Sequence, residues 1–222
     1  TSSGEAFGAD YQLPNASAYG ETCASIGMCL WNHRMNLLHA DAKYADTFER
    51  TLYNGMLAGV DLGGEKFFYV NPLASKGKHH REAFFGCACC PTNVVRFIPS
   101  VPGYVYAVDG DRLYVNLYVA GQGKATLGAG KVALTQQTRY PWDGEVKIML
   151  NPAGAGEFDI MLRIPAWCAA EAPADALYQP EPLPAGQVKP TIKVNGQAVE
   201  NFKMVKGYAR LHRAWKAGDT VE

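Results

Sequence analysis

The hydrophobic residues of this chain change their spacing near residue 104, and this change limits the folds that are available to it. Before that point, apolar side chains recur every three to four residues, which is the period of an amphipathic helix. After it, they alternate with polar residues along short segments, which is the period of a half-buried strand. The sequence therefore predicts an α+β chain in which helices come first and strands follow.

Two apolar stripes predict the helices of the first hundred residues, and we expect both stripes to pack in a core. The second helix is expected to end at Gly59. A third, short helix is expected after Pro91, because proline suits the first helical position, and this makes Cys90 the N-cap. The first stripe consists of Tyr19, Cys23, Ile26, Leu30 and Leu37, widened by Trp31, Met35 and Leu38, and the second of Tyr44, Phe48, Leu52 and Met56.

Two turn signals predict hairpins in the second part of the chain: Asp109-Gly110, between runs at 104–108 and 113–119, and Asn195-Gly196, between 191–194 and 197–199. Alternating runs at 146–150 and 158–164 add two further strands. Short strands at this spacing predict an antiparallel β-sandwich. Residues 169–190, rich in alanine and proline, are expected to form a long loop or insertion. Residues 220–222 read as a strand that has only begun, which suggests a fragment cut at both ends.

The composition excludes several classes of function. Hydrophobic residues make up 48% and charged residues 19% of the 222 residues, which is typical of a globular protein. Formal net charge is zero, so no basic surface for nucleic acid is expected. The apolar runs are too short to span a membrane. The six cysteines are spaced too unevenly for a disulfide scaffold.

Three of the six cysteines, Cys87, Cys89 and Cys90, fall within four residues. Adjacent side chains point in different directions and cannot share one core position, so bulk alone does not explain this density. A strained vicinal disulfide, a metal site or a reactive thiolate remain open as explanations. A helix that begins here would favour the thiolate form, because helix N-termini stabilise anions.

A second cluster, Glu21-Thr22-Cys23, adds ligand types that suit a metal. Residues two apart lie about 200° apart around a helix, so Glu21 and Cys23 can share one ion only at a helix entrance. Together with Cys89 and Cys90 they offer three sulfurs and one carboxylate, which suits tetrahedral zinc. The spacing matches no common zinc-finger pattern, so the residues alone leave it open whether these four hold a metal.

Other candidates have plainer interpretations. Cys29 and Cys168 are expected to be buried thiols, and Cys87 either a buried thiol or a group that supports the site. Glu5 and Glu49 are by default surface carboxylates. The pair His79-His80 is expected to be polar loop sequence, because it lacks a third ligand.

Several blocks resemble, in the same order, the β-L-arabinofuranosidases of glycoside hydrolase family 127, once known only as a domain of unknown function. The Glu-Thr-Cys block combined with Cys-Cys-Pro is the most specific part of the match. The resemblance covers nearly the whole chain. The matching blocks lie at residues 4–8, 11–15, 18–24, 44–55, 68–73, 87–93 and 163–167.

The resemblance implies a retaining glycosidase with an unusual nucleophile, a cysteine in place of a carboxylate. It implies that Cys89 attacks the sugar and that Glu5 is the acid/base residue. Tyr69 matches an aromatic residue that lines the sugar pocket, and Glu49 is assigned a supporting role nearby. The implied cofactor is zinc, held by Glu21, Cys23, Cys89 and Cys90.

The resemblance also implies an architecture, with the last helices of an (α/α)6 catalytic barrel at residues 1–102 and a β-sandwich at residues 103–222. The implied substrate is a β-L-arabinofuranoside or a related pentoside of plant-type glycans, and the fragment alone is expected to be inactive. A homodimer through the β-sandwich is kept open. Adjacent thiols that must stay reduced favour a cytoplasmic, bacterial setting.

Two alternatives without turnover are kept open. One is a structural zinc or redox module built on the same cysteines. The other is a carbohydrate-binding sandwich in which Tyr140, Trp142 and Trp215 form platforms for sugar rings, although such aromatics are more often core residues.

Overall fold

The computed structural model describes residues 4–154, 156–168 and 190–222. It divides into two compact units, one formed by Thr1–Leu38 and Tyr44–Val101 and the other by His39–Lys43 and Pro102–Glu222. The predicted loop or insertion at 169–190 lies outside the described residues, except for Pro190. Among the residues described, no helix combines the length and the apolar character needed to cross a membrane.

Three α-helices precede residue 104: α1 spans Thr22–His39, α2 Ala42–Thr51 and α3 Cys89–Phe97. A π-helical turn at Leu52–Met56 and a 3₁₀ turn at Leu57–Gly59 continue α2, so the predicted end at Gly59 is confirmed. Another 3₁₀ segment, Ile98–Tyr104, follows α3. The second apolar stripe packs as predicted, since Phe48, Leu52 and Met56 are buried.

The core prediction for the α1 stripe is confirmed at Ile26 and wrong at its four exposed positions, while Tyr19, Cys23 and Met35 are partly buried. In the described chain the buried face of α1 carries Thr22, Ile26, Cys29, Asn32 and Asn36. This polar face can be buried because its groups find hydrogen-bond partners, for example the Asn32 amide on the Met28 carbonyl at 2.9 Å. The large apolar side chains that are exposed instead are Leu30, Trp31, Leu37 and Leu38.

The predicted N-cap of the third helix is also wrong. α3 begins at Cys89 and its N-cap is Ala88, which places Pro91 at the third helical position. Proline is tolerated there because the first N–H groups of a helix have no partner within the helix. Cys89 and Cys90 therefore both lie in the first turn.

The second unit contains two sheets that share one core. Leu113 and Ile160 of one sheet and Leu134 and Leu150 of the other belong to the same buried cluster, which makes the pair a β-sandwich. The sheets have the orders β1-β2-β6-β10-β9 and β3-β4-β5-β11-β7-β8. The strands are β1 Tyr106–Asp109, β2 Arg112–Val115, β3 Gly121–Leu127, β4 Gly130–Thr138, β5 Val146–Pro152, β6 Gly156–Arg163, β7 Lys193–Val194, β8 Gln197–Ala198, β9 Lys203–Val205, β10 Tyr208–Trp215 and β11 Asp219–Val221.

Strand pairing is antiparallel, as predicted, except that β2 and β6 are parallel. The first hairpin turns at Gly110-Asp111, one residue later than predicted, because Asp109 pairs with Arg112 and Gly110 adopts a positive φ of 60°. The second hairpin turns at Asn195-Gly196 as predicted, with both residues at positive φ. β11, predicted as a strand just beginning, pairs with β5 on one side and β7 on the other.

The three proposed sugar platforms do not form a shared surface. Trp215 is 1% exposed, and its indole N–H donates to the Phe158 carbonyl at 3.0 Å, so its assignment as a platform is wrong. Tyr140 packs against the sandwich core. Of the three, Trp142 alone is exposed. An indole that is fully buried in the core cannot stack on a sugar.

Candidate metal centre

The entrance of α1 is tied to the segment around Tyr69 by backbone hydrogen bonds. Glu21 and Val70 form an isolated antiparallel bridge. The Thr22 N–H donates to the Tyr69 carbonyl at 3.1 Å, and the Asn71 N–H donates to the Gly20 carbonyl at 2.8 Å. Glu21 therefore has strand-like pairing just before the helix begins, which lets it share a site with Cys23, as the sequence predicts for a helix entrance.

Thr22, between the two candidate ligands, is the anchor of this entrance. It is fully buried, and its hydroxyl donates to the Phe68 carbonyl at 2.8 Å and accepts the Asn71 side-chain N–H at 3.2 Å. A Cβ on Gly59 would lie 2.5 Å from the Thr22 Oγ1, so the neighbouring turn fits closely against it. The sequence contains one local signal for this role, a hydroxyl residue at the start of a helix.

The structure brings Glu21, Cys23, Cys89 and Cys90 together, with their ligand atoms all within 4.8 Å of one another. The Sγ atoms of Cys23 and Cys90 are 3.4 Å apart, and those of Cys89 and Cys90 are 3.9 Å apart. Glu21 Oε1 lies 3.7 Å from the Cys89 sulfur and 3.8 Å from the Cys90 sulfur. All six cysteines are free, so the vicinal disulfide is not formed.

These separations suit four ligands around one metal ion. A tetrahedral ion with metal–sulfur bonds of about 2.3 Å places its sulfur ligands about 3.8 Å apart. The four distances given above lie close to that value, and the remaining pairs of ligand atoms lie within 4.8 Å of each other. The group of four could therefore hold a metal ion.

The three sulfurs differ in how readily they ionise. Burial raises the pKa of the Cys90 thiol well above its ordinary value and that of Cys23 to about 11. Burial also acts to raise the pKa of Cys89, but hydrogen bonds from Tyr69 and the neighbouring thiols outweigh it, so the pKa of Cys89 is lowered. Cys89 is therefore the sulfur most easily held as a thiolate.

Tyr69 joins the cluster to Glu5. Its hydroxyl donates to Glu5 Oε1 at 3.0 Å, and the same hydroxyl interacts with the Cys89 sulfur. Both partners favour the protonated phenol, so the pKa of Tyr69 is raised. Edge-to-face contacts with Tyr19 and Phe85, at centroid distances of 6.4 and 5.8 Å, hold the ring in place. One phenol oxygen thus links the exposed side chain of Glu5 to the Cys89 sulfur.

The remaining candidates lie outside the group of four. Glu49 is buried on α2 and is not a surface carboxylate. His79 stacks on Phe68 at 4.7 Å, and its ring nitrogen bonds the Val70 carbonyl at 2.7 Å, so this histidine braces the segment that carries Tyr69.

The other three cysteines also stand apart from the four-ligand group. Cys29 is fully buried as predicted, and burial raises its pKa to about 12. Cys168 is partly buried and donates to the Pro165 carbonyl at 3.1 Å. Cys87 is exposed, so its assignment as a buried thiol is wrong, while its hydrogen bond to Cys89 agrees with a supporting position.

Replacing Gly20 with alanine is expected to destabilise the protein by roughly 1–3 kcal/mol. The new Cβ would lie 2.7 Å from the Asn71 carbonyl oxygen, so the bridge beside Glu21 must open. Chemical denaturation of the wild type and the Gly20→Ala variant measures the change in the free energy of unfolding.

Gly27→Ala is the matched control, because Gly27 lies within α1 with no atom within 4 Å of the new Cβ. There we expect stabilisation by about 1 kcal/mol, since alanine is the better helix former. Equal effects at both sites would contradict the role of Gly20.

Comparison with known proteins gives a consistent result over both parts of the chain. Residues 1–103 match the family model of the β-L-arabinofuranosidase GH127 catalytic domain, and residues 112–222 match that of the GH127 middle domain. A non-reducing end β-L-arabinofuranosidase of Bifidobacterium longum subsp. longum is 38% identical over 180 residues, which are 74% of this chain and 27% of that protein.

Solved structures are similar in fold as well as sequence. A GH127 β-arabinofuranosidase superposes over 98% of this chain with a TM-score of 0.87 and 48% identity. A GH127 β-L-arabinofuranosidase from Geobacillus stearothermophilus T6 covers all of it, with a TM-score of 0.84 and 41% identity. The chain spans about a third of each of these structures, 34% in both cases. The chain belongs to glycoside hydrolase family 127, with which it shares a catalytic-domain segment and a middle domain.

Proposed function

We propose that the intact protein, the longer chain expected to contain these residues, is a retaining glycoside hydrolase that releases β-L-arabinofuranose from plant-type glycans. The observation that carries this proposal is the link from Glu5 through the Tyr69 hydroxyl to Cys89. A retaining glycosidase needs a carboxyl group and a nucleophile that can both reach the same glycosidic bond. The relatives named β-L-arabinofuranosidase support the choice of sugar.

We propose zinc as the cofactor, held by Glu21, Cys23, Cys89 and Cys90. Three sulfurs and one carboxylate oxygen at near-tetrahedral separations fit this ion. When bound, zinc would keep the thiols deprotonated at neutral pH and fix the direction of the Cys89 sulfur. Without a cation, three thiolates this close would repel one another.

Cys89 is the best placed of the three sulfurs to react with a sugar. Cys90 is fully buried and cannot reach a substrate. Cys23 is partly exposed but accepts a hydrogen bond from Asn93. Cys89 is partly exposed, has the lowered pKa and lies beside the Tyr69 hydroxyl that holds Glu5.

In the first step, the Cys89 thiolate attacks the anomeric carbon, a carbon–sulfur bond forms, and the bond to the leaving oxygen breaks. Glu5 in its protonated form gives its proton to that oxygen, so the aglycone leaves as an alcohol. The Tyr69 hydroxyl orients the carboxyl group during this transfer. The sugar remains bound to Cys89 as a thioglycoside.

In the second step, Glu5, now a carboxylate, takes a proton from a water molecule that attacks the same carbon. The carbon–sulfur bond breaks, and the electron pair returns to the Cys89 sulfur. Two inversions give net retention of the anomeric configuration. Glu5 ends protonated and ready for the next substrate.

A panel of aryl glycosides tests this proposal on the intact protein. We expect turnover of the β-L-arabinofuranoside, with retained configuration by NMR, and slower or no turnover of other pentosides. An electrophilic arabinofuranose mimic should label Cys89, as mapped by mass spectrometry. Inversion of configuration, or labelling of another residue in place of Cys89, would contradict the mechanism.

Removing the metal is expected to abolish turnover reversibly. Chelation removes the positive charge that stabilises the thiolates and releases the Cys89 sulfur from its position, so the rate should fall at least about 100-fold. Metal analysis should find one zinc per chain before chelation, and added zinc should restore the rate. Full activity in protein shown to be metal-free would contradict the zinc assignment.

Other expectations from the resemblance remain proposals. We propose that residues 1–102 are the last part of an (α/α)6 barrel that contributes the pocket, and that residues 103–222 are the adjoining sandwich domain. We expect the 222 residues alone to be inactive, because a partial pocket cannot orient a sugar. A homodimer through the sandwich and a cytoplasmic location are also kept as proposals.

A further inference from the structure

Asn93, in the second turn of α3, makes a contact that the proposed reaction leaves unexplained. Its side-chain nitrogen Nδ2 lies 3.1 Å from the Sγ of Cys23. Sulfur is a large atom, so this distance is short for a nitrogen–sulfur hydrogen bond. The two residues are 70 positions apart, and the contact therefore joins α3 directly to the entrance of α1.

The direction of this hydrogen bond follows from the chemistry of the sulfur. When Cys23 holds a metal ion it is a thiolate with no proton to donate, so it requires a donor from Asn93, and the amide N–H is the donor available. Hydrogen bonds to an ionised group are the stronger ones.

An N–H bond to a metal thiolate has two consequences. It orients the ligand, since groups that hydrogen-bond to a metal's ligands position them. It also draws electron density from the sulfur lone pairs, which makes that sulfur a poorer nucleophile. An N–H bond to the Cys23 sulfur therefore suits a cysteine that binds the metal but must not react with the sugar.

The cluster needs a feature that separates the sulfur that reacts from the sulfurs that only hold the metal. Cys23 and Cys89 are both partly exposed, whereas Cys90 is fully buried. Cys90 is therefore shielded from electrophiles by burial alone. Cys23 is not shielded by burial, and the Asn93 amide donates an N–H to its sulfur. Cys89 differs, because it lies beside the Tyr69 hydroxyl, whose proton is donated to Glu5.

We propose that Asn93 is a positioning residue that keeps Cys23 as a metal ligand and suppresses its reactivity, so that Cys89 is the sulfur that attacks. This inference rests on the proposed function for its biological meaning. The metal affinity and the relative reactivity of the Cys23 and Cys89 sulfurs can both be measured without any glycoside.

The test compares Asn93→Leu and Asn93→Asp with wild type in the intact protein. Both variants keep the approximate side-chain shape and remove the N–H donor, and Asn93→Asp adds a charge. Zinc affinity is measured by competition with a chromophoric chelator. The zinc-loaded proteins are then treated with iodoacetamide, and labelling at Cys23 and Cys89 is quantified by mass spectrometry.

We expect both variants to bind zinc 10- to 100-fold more weakly, which is the range for loss of a ligand-orienting partner. We also expect labelling at Cys23 relative to Cys89 to rise about tenfold or more. Asn54→Leu is the matched control. It makes the same exchange at an exposed helical asparagine whose amide donates to the Arg50 carbonyl, and both readouts should stay at wild-type values.

Unchanged zinc affinity and labelling in Asn93→Leu would overturn the inference. An effect in Asn93→Asp alone would also overturn it, because added charge, and not the lost donor, would be the cause. Wild-type protein that binds no zinc would overturn it together with the zinc site. Wild-type protein that binds zinc but hydrolyses no pentoside would remove the proposed function, while the two readouts would still decide the role of Asn93.

Discussion

Cys89→Ser is expected to reduce the rate of arabinofuranoside hydrolysis by the intact protein at least about 10⁴-fold, the scale seen when a covalent nucleophile is removed. Serine is nearly the same size, but its hydroxyl stays protonated at neutral pH and is a far weaker nucleophile and metal ligand than a thiolate. Steady-state kinetics measures the loss, and circular dichroism checks that the fold is retained.

Cys168→Ser is the matched control for this substitution. Cys168 is partly buried like Cys89 but lies outside the four-ligand group, and serine can keep the hydrogen bond to the Pro165 carbonyl. We expect its activity to equal that of wild type. If Cys89→Ser retained activity with the fold intact, the nucleophile assignment would be wrong, and a structural zinc or redox role for the cysteines would become the better explanation.

Glu5→Gln is expected to lower the rate about 10²- to 10⁴-fold, the usual contribution of a general acid–base residue. The amide keeps a group within reach of the Tyr69 hydroxyl but cannot give or take the proton. With an activated aryl leaving group the first step needs little acid assistance, so the second step becomes limiting. The sugar should then accumulate on Cys89, visible as a mass increase of one pentosyl unit.

Glu65→Gln removes a carboxylate from an exposed loop position and serves as the control for charge. Its rate should be unchanged for every leaving group. For Glu5→Gln, the loss should grow as the leaving group becomes poorer, and a small anionic nucleophile such as azide should restore part of the rate. A loss that is equal for good and poor leaving groups would argue against an acid role for Glu5.

The β-structure shows where periodicity is informative. Alternation predicted β5, in which the buried residues Ile148 and Leu150 are separated by a less buried one, and the Asn195-Gly196 turn signal predicted the second hairpin. β3 and β4 were not predicted, since β3 is mostly polar and carries only a few of the apolar positions that reveal a strand. β10 was also missed. Its neighbours Tyr208 and Ala209 are both buried, in different clusters on opposite faces of the sheet, which removes the alternation.

In the helical part, the error is that a face was predicted to be buried and is exposed. The apolar stripe on α1 is genuine in the sequence, yet the buried face carries Asn32 and Asn36. Periodicity ranks side chains by hydrophobicity and contains no information on hydrogen-bond partners that lie far away in the chain. The prediction was successful for α2, where the apolar face and the buried face coincide.

By itself, the sequence determined the two-part organisation and the identity of the four candidate metal ligands, because both depend on local spacing and short motifs. Only the tertiary structure decided how the ligands meet and how they differ. Glu21 and Cys89 are 68 positions apart, and their separation of 3.7 Å depends on the backbone bridge at Val70 and the anchor at Thr22. Likewise, burial and hydrogen bonding are properties of packed neighbours, so the differences among the three sulfurs exist only in the folded chain.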